Sequence, residues 1–195
     1  MSLRLTGGDY RNRPLTAPEG RATRPTGARV REALFSMLES RFPGRLAKGQ
    51  VVDAFAGSGA LGLEALSRGA AHVTFLETDA TCVQAIQHNL AALGLTDRAT
   101  VHQTDAARPP RPAAPCTLAF LDPPYASPEL GPDALQALAR AGWLATEAVA
   151  VLEHRAKTPP AIPAAFTVAH QRSYRDTSVA FLVAAEDADA AGQES

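Results

Sequence analysis

Cysteine is scarce in this chain. Cys82 and Cys116 are its only two, far apart in sequence and outside any Cys-x-x-Cys or Cys/His cluster. That spacing excludes a disulfide framework and a zinc site, so both are expected to be small buried residues, and no metal is expected. No apolar run approaches the roughly 20 residues needed to span a bilayer. Near the start, Leu3, Leu5 and Tyr10 are interrupted by Arg4, Gly7, Gly8 and Asp9, which excludes a secretory signal. A cytoplasmic protein with no membrane partner is therefore expected. Internal repeats are also lacking, and 195 residues, 46% of them apolar, suit one buried core rather than two. The expected organisation is a single domain over 1–184 with a basic segment at 1–48, followed by an acidic, disordered tail at 185–195.

Net charge is nearly absent too, at −1, but this hides an asymmetry. Residues 1–48 hold ten basic side chains against four acidic ones, whereas Glu186, Asp187, Asp189 and Glu194 stand in the tail without a base. Basic arms suit nucleic acid because each neutralised phosphate releases counterions. Charge alone leaves a solvated, arginine-rich face equally open.

Apolar periodicity predicts a helix over 28–41. Val30, Ala33, Leu34, Met37 and Leu38 form its stripe, Arg29, Arg31 and Glu39 lie elsewhere around it, Pro25-Thr26 precede it and Pro43-Gly44 end it. An apolar run at 51–55 then meets a glycine-rich turn, and a helix is predicted over 60–68. Further strands are predicted at 72–77, 100–103, 117–122 and 148–153, with helices at 80–93 and 132–141. Two closing strands, 167–170 and 178–184, have no helix between them and are expected to pair antiparallel at one edge. The rest alternates strand and helix, which implies right-handed crossovers and a mostly parallel sheet covered on both faces. In such α/β folds ligands sit beyond the carboxyl ends of the strands, here Asp53–Gly59, Glu77, Asp105 and Asp122.

The turn Asp53-Ala54-Phe55-Ala56-Gly57-Ser58-Gly59-Ala60-Leu61-Gly62 contains Gly-x-Gly-x-x-Gly. A dinucleotide turn brings a helix N-terminus to a pyrophosphate, and an aspartate four residues before Gly57 would repel that charge. The acid suits a ligand carrying an ammonium group, as the methionine moiety of S-adenosylmethionine does. Gly57 and Gly59 are expected to let backbone approach it without a Cβ in the way. On this motif alone a dinucleotide enzyme and a structural turn stay open. Glu77 ends the second strand, where a carboxylate accepts from both ribose hydroxyls of either cofactor. Asp105 is placed to accept from an adenine amino group, or serves as an ordinary turn residue.

Asp122-Pro123-Pro124-Tyr125 closes the apolar run Leu118-Ala119-Phe120-Leu121. A nucleobase amino group is a poor nucleophile because its lone pair is delocalised into the ring. Hydrogen bonds from it to the Asp122 carboxylate and the Pro123 carbonyl would favour a pyramidal nitrogen, with proline fixing the carbonyl's direction. Tyr125 is expected to stack on the flipped base. Catalysis then needs positioning and electrostatic shaping rather than a separate general base.

At these residues the chain resembles the bacterial 16S ribosomal RNA guanine-966 N2-methyltransferases. The resemblance is carried by Arg24-Pro25-Thr26, Arg29–Phe35, Asp53–Leu66, Asp122–Tyr125, Gly142-Trp143-Leu144 and Tyr174-x-Asp176-Thr177, and covers nearly all of the chain up to Ala184. It implies a Rossmann-like seven-stranded S-adenosylmethionine-dependent methyltransferase fold, S-adenosylmethionine as donor, and 16S ribosomal RNA or a 30S assembly particle as partner. A monomer is expected, although the residues themselves do not fix the oligomeric state. Carried over residue by residue, it assigns Asp53, Phe55, Gly57, Gly59, Glu77, Asp105 and Ala106 to the cofactor, with Thr26 and Arg29 bordering its methionine end. Asp122, Pro123 and Tyr125 fall to the target guanine, and Arg11, Arg13 and Arg24 to RNA. Asn12 and Arg175 stand where related sequences usually have glycine, so a different local backbone is expected in the N-terminal hairpin and the last turn.

An adenine or cytosine amino-methyltransferase on DNA is the competing enzyme, since Asp-Pro-Pro-Tyr also serves N6 and N4 chemistry. The chain has no obvious target-recognition domain for it. A dinucleotide-dependent oxidoreductase would retain NAD instead. A non-catalytic assembly factor has no use for Asp122 and Tyr125.

Overall fold

The computed structural model describes residues 3–18 and 28–185. Strands β1 (Gln50–Asp53), β2 (His72–Glu77), β3 (Ala99–Gln103), β4 (Cys116–Leu121), β5 (Leu144–Arg155), β6 (Phe166–Tyr174) and β7 (Thr177–Ala184) form one sheet in the order β3-β2-β1-β4-β5-β7-β6. The first five pair in parallel, while β7 runs antiparallel between β5 and β6. The closing strands are thus the expected edge pair, with β7 inserted and β6 outermost.

Helices α1 (Ala28–Arg41), α2 (Ala60–Ser67) and α3 (Ala80–Leu93) cover one face, and α4 (Leu130–Arg140) the other. Alternation along the strands explains this division. Val51, Phe75, Phe120, Val151 and Phe181 meet Phe35, Leu63 and Ile86, whereas Val52, Leu76, Ala119, Leu121 and Leu152 meet Leu135, Leu138 and Trp143. The Asp79 side chain caps α3 by accepting from Thr81 N, and Gly94, at φ 68°, ends it. Cys82 and Cys116 are buried as expected, and burial pushes the Cys116 thiol up to about 12.

One expectation changes. Arg31 does not lie on a solvated face; it is buried and pairs with the fully buried Glu64 at 3.3 Å. Glu64 also binds Arg68 Nε at 2.9 Å, Thr6 N at 2.8 Å and Thr6 Oγ1 at 2.7 Å, and Arg31 donates to the Arg4 carbonyl. Burial of a charge this deep requires such pairing, so Arg31 is committed to the fold and not to a phosphate. The network clasps an N-terminal hairpin, in which Leu5 N bonds Arg13 O and Leu15 N bonds Leu3 O, against α2. Asn12 and Arg175, with φ values of 65° and 51°, adopt the left-handed conformation that glycine takes most easily. Pro25, Thr26 and the residues from Glu186 onward lie outside the described residues.

Candidate active site

Strand β1 delivers Asp53 into the carboxyl edge of the sheet, 1% exposed. Its Oδ2 accepts from Gly62 N at 2.9 Å, tying the strand end to the first turn of α2. Its Oδ1 is buried with no hydrogen-bond partner among the described residues. Burial above all, opposed by the Gly62 hydrogen bond and aided by the nearby Asp122 and Glu77 charges, pushes this carboxyl up to about 7. Three carboxylates therefore converge from β1, β2 and the end of β4, one of them with an orphaned oxygen. Such a cluster favours a cationic ligand.

The glycines divide their work. Gly57 adopts φ 54°, and a Cβ there would meet nothing nearer than Phe55 O at 4.0 Å, so its outer face is open to a ligand. Gly59, at φ 77°, faces inward instead. A Cβ would come within 3.0 Å of Ile86 Cγ1, so a side chain is excluded where the turn enters α2. A Cβ on Gly62 would reach 2.3 Å from the Phe75 ring, so this position serves close helix–strand packing.

Glu77, at the end of β2, uses its carboxylate first on the protein. Oε2 accepts from Gly57 N at 2.7 Å, and Oε1 from Thr78 N at 2.8 Å and Asp79 N at 2.9 Å. The ribose carboxylate expected from sequence is thus also the brace of the glycine turn. Asp105 is exposed and forms a local turn through its Oδ1 and Ala107 N at 2.9 Å. Beside it, Ala106 is buried and Phe55 half-buried, and both meet the α4-side core.

Asp122 is half-buried and Pro123 buried at the end of β4. Leu121 pairs with Leu152, so Asp122, the residue after β4, and Glu153 of β5 each follow that last pair. Tyr125 Oη donates to Glu153 Oε1 at 3.1 Å and shares a 2.5 Å hydrogen bond with Thr177 Oγ1, while the Arg155 guanidinium lies 5.2 Å from its ring centroid. The ring is therefore held by β5 and β7, and one of its faces already carries a cation. Sequence reasoning missed Glu153, although it closes an apolar run as Asp122 and Glu77 do. It also missed buried Asn89 of α3, which bonds Thr16 N at 2.8 Å, Thr16 O at 2.9 Å and Ser58 O at 3.4 Å, joining the N-terminal segment to the glycine turn.

Arg29 is exposed at the start of α1, and Arg11 and Arg13 are exposed on the hairpin. Thr26 and Arg24 lie outside the described residues. Among the described residues no group of His, Cys, Asp and Glu could hold a metal ion, and no helix is long and apolar enough to cross a membrane.

The strand order, with its antiparallel β7, and the acids that end β1, β2 and β4 define a protein of the seven-stranded methyltransferase class. The same fold is seen in magnesium protoporphyrin IX methyltransferase from Synechocystis, solved with bound SAM, at a TM-score of 0.61 and 18% identity over 80% of this chain and 79% of that one. The chain belongs to the family described as conserved hypothetical protein 95, whose model matches residues 3–183, and to that of ribosomal RNA small subunit methyltransferase D. It is 37% identical to the Escherichia coli (strain K12) protein of the latter name over 179 residues, 89% of this chain and 88% of the relative. The solved structure of yhhF from Escherichia coli superposes with a TM-score of 0.81 at 34% identity, covering 94% of this chain and 98% of that one.

Proposed function

We propose that this protein transfers a methyl group from S-adenosylmethionine to the exocyclic N2 amino group of a guanine in 16S ribosomal RNA of the small subunit. The observation that carries this reading is the placement of Asp122-Pro123-Pro124-Tyr125 at the end of β4, beside the buried Asp53 with its orphaned oxygen. The relatives named for small-subunit ribosomal RNA support the substrate class.

The residues fit the cofactor. Asp53 Oδ1 supplies a buried anionic acceptor for an ammonium group, Gly57 leaves backbone open to close approach, and Glu77 retains acceptor capacity beyond its Gly57 bond for ribose hydroxyls. Phe55 and Ala106 offer apolar surface and Asp105 a carboxylate to the adenine end, while Thr26 and Arg29 border the methionine end. When bound, S-adenosylmethionine supplies an electrophilic methyl group on its sulfonium. Asp122 and the Pro123 carbonyl accept hydrogen bonds from the target amine, localise its lone pair and orient it. Methylation makes that nitrogen cationic, and its proton leaves to Asp122 or to water. Tyr125, held through its hydroxyl, stacks on the extruded base. Arg11, Arg13 and Arg24 contact the RNA backbone, and the enzyme works as a monomer.

The test is transfer of tritiated methyl from S-adenosylmethionine to 16S ribosomal RNA, 30S particles and duplex DNA in parallel. Incorporation into the RNA or the particle is expected. Incorporation into DNA alone would overturn the reading in favour of a DNA amino-methyltransferase.

A further inference from the structure

Beyond Tyr125 the sheet ends in a second basic surface, separate in sequence from the N-terminal segment. Arg155 closes β5, Lys157 follows it, Arg172 lies on β6, and Arg175 forms the β6–β7 turn. All four are exposed, and among the described residues none is paired with a carboxylate. Strand register brings them together. Arg155 pairs with Thr177 and Thr177 with Tyr174, while Ala156 N bonds Asp176 O at 2.9 Å, so the end of β5 and the β6–β7 turn form one tip. Directly paired residues of neighbouring strands face the same side, which puts Arg155, Thr177 and Tyr174 on one face. Arg172, two residues before Tyr174 on β6, shares that face, and its guanidinium lies 5.4 Å from the Tyr174 ring centroid. Thr177 holds the Tyr125 hydroxyl, and Arg155 lies over the Tyr125 ring.

The tip is thus fixed to the residue that receives the base. Four cations surround it against one exposed carboxylate, Asp176. Leaving that many unneutralised cations beside a single aromatic side chain serves a polyanion, since each would otherwise repel the next. Arg175 occupies a left-handed conformation, φ 51°, that a side-chain-bearing residue adopts at a cost, and it places a guanidinium at the extreme of the turn.

We propose that this tip, through Lys157, Arg172 and Arg175 with Arg155, binds the phosphodiester backbone of the nucleotides flanking the target base, so that RNA is gripped on both sides of Tyr125. The inference rests on the reading of an RNA substrate. It differs from that reading in assigning a second contact surface, on β5, β6 and their turns, distinct from the hairpin arginines.

The test measures binding of unmodified 16S ribosomal RNA transcript across a salt series, for wild type and for the triple variant Lys157→Ala, Arg172→Ala, Arg175→Gly. Arg155 is kept because it also touches Tyr125. Each lost phosphate contact removes roughly 0.7–0.9 from the slope of log affinity against log salt, so the triple variant should flatten it by about 2. S-adenosylmethionine affinity should stay within twofold. Arg175→Gly alone should weaken RNA binding while leaving the melting temperature equal or higher, because glycine relieves the backbone; a structural role for Arg175 predicts a lower one. The charge-keeping pair Lys157→Arg, Arg172→Lys should retain the wild-type slope. Equal slopes for wild type and triple variant, with wild type methylating the transcript, would overturn this inference alone. Failure of wild type to methylate either transcript or 30S particle would remove the RNA reading and this inference with it.

Discussion

Gly57 donates its backbone N–H to Glu77 Oε2 at 2.7 Å, so the carboxylate that ends β2 also fixes the turn that follows β1. On the proposed function, the same side chain would also accept from the ribose hydroxyls of the cofactor. Glu77→Ala should weaken S-adenosylmethionine binding by about 1.5–3 kcal/mol, the range for hydrogen bonds to a charged partner. It should also destabilise the free protein by roughly 1–3 kcal/mol, because Gly57, Thr78 and Asp79 lose their acceptor. Calorimetry and thermal melting read the two effects, and an unchanged affinity would contradict the placement.

If Asp53 meets the cofactor's ammonium group as proposed, cofactor binding should depend on pH. Its carboxyl, pushed up by burial to about 7 from 3.8, holds a proton in the folded state that the unfolded chain has released. Its contribution to stability is therefore full below about pH 4 and is lost as pH rises through about 7. A cationic ligand favours the ionised form, so binding near pH 6.5 should release a proton, and affinity should rise about tenfold between pH 6 and 8. Titration calorimetry in buffers of different ionisation enthalpy measures that proton. Asp53→Asn should abolish the release, and wild-type binding without it would contradict the role.

The Glu64 network predicts a large stability effect far from the chemistry. Removing the carboxylate leaves Arg31 buried without its partner, so Glu64→Ala should cost about 3–5 kcal/mol in urea denaturation. A loss below about 1 kcal/mol would mean that the hairpin is held by its apolar contacts through Leu5 and Leu15 instead.

The parallel half of the fold was legible because its strands are apolar runs closed by an acid, and its helices carry apolar stripes with strong ends, such as Asp79 and Gly94 around α3. The positions of Asp53, Glu77 and Asp122 at strand ends were legible for the same reason. Arg31 was misread because its partner Glu64 lies thirty-three positions later, and periodicity carries no signal for a buried ion pair. Tyr125 was singled out from the sequence, but its tethers were not. Glu153 and Thr177 reach it only through the β5–β7 register, which is antiparallel pairing that local pattern does not fix. The packing of Gly59 against Ile86 was not legible, because spacing alone cannot tell which side of a turn faces the core.

The central claim is that Asp122 prepares a guanine N2 amine for methylation. Its most direct test is the identity of the modified nucleoside after reaction with unmethylated 30S particles, read by mass spectrometry of the digested ribosomal RNA, for wild type and Asp122→Ala. The account predicts N2-methylguanosine from wild type, and a near-complete loss of product from the variant with S-adenosylmethionine affinity within a few fold of wild type. Methylation on adenine, cytosine or a ring nitrogen, or substantial turnover by Asp122→Ala, would contradict it.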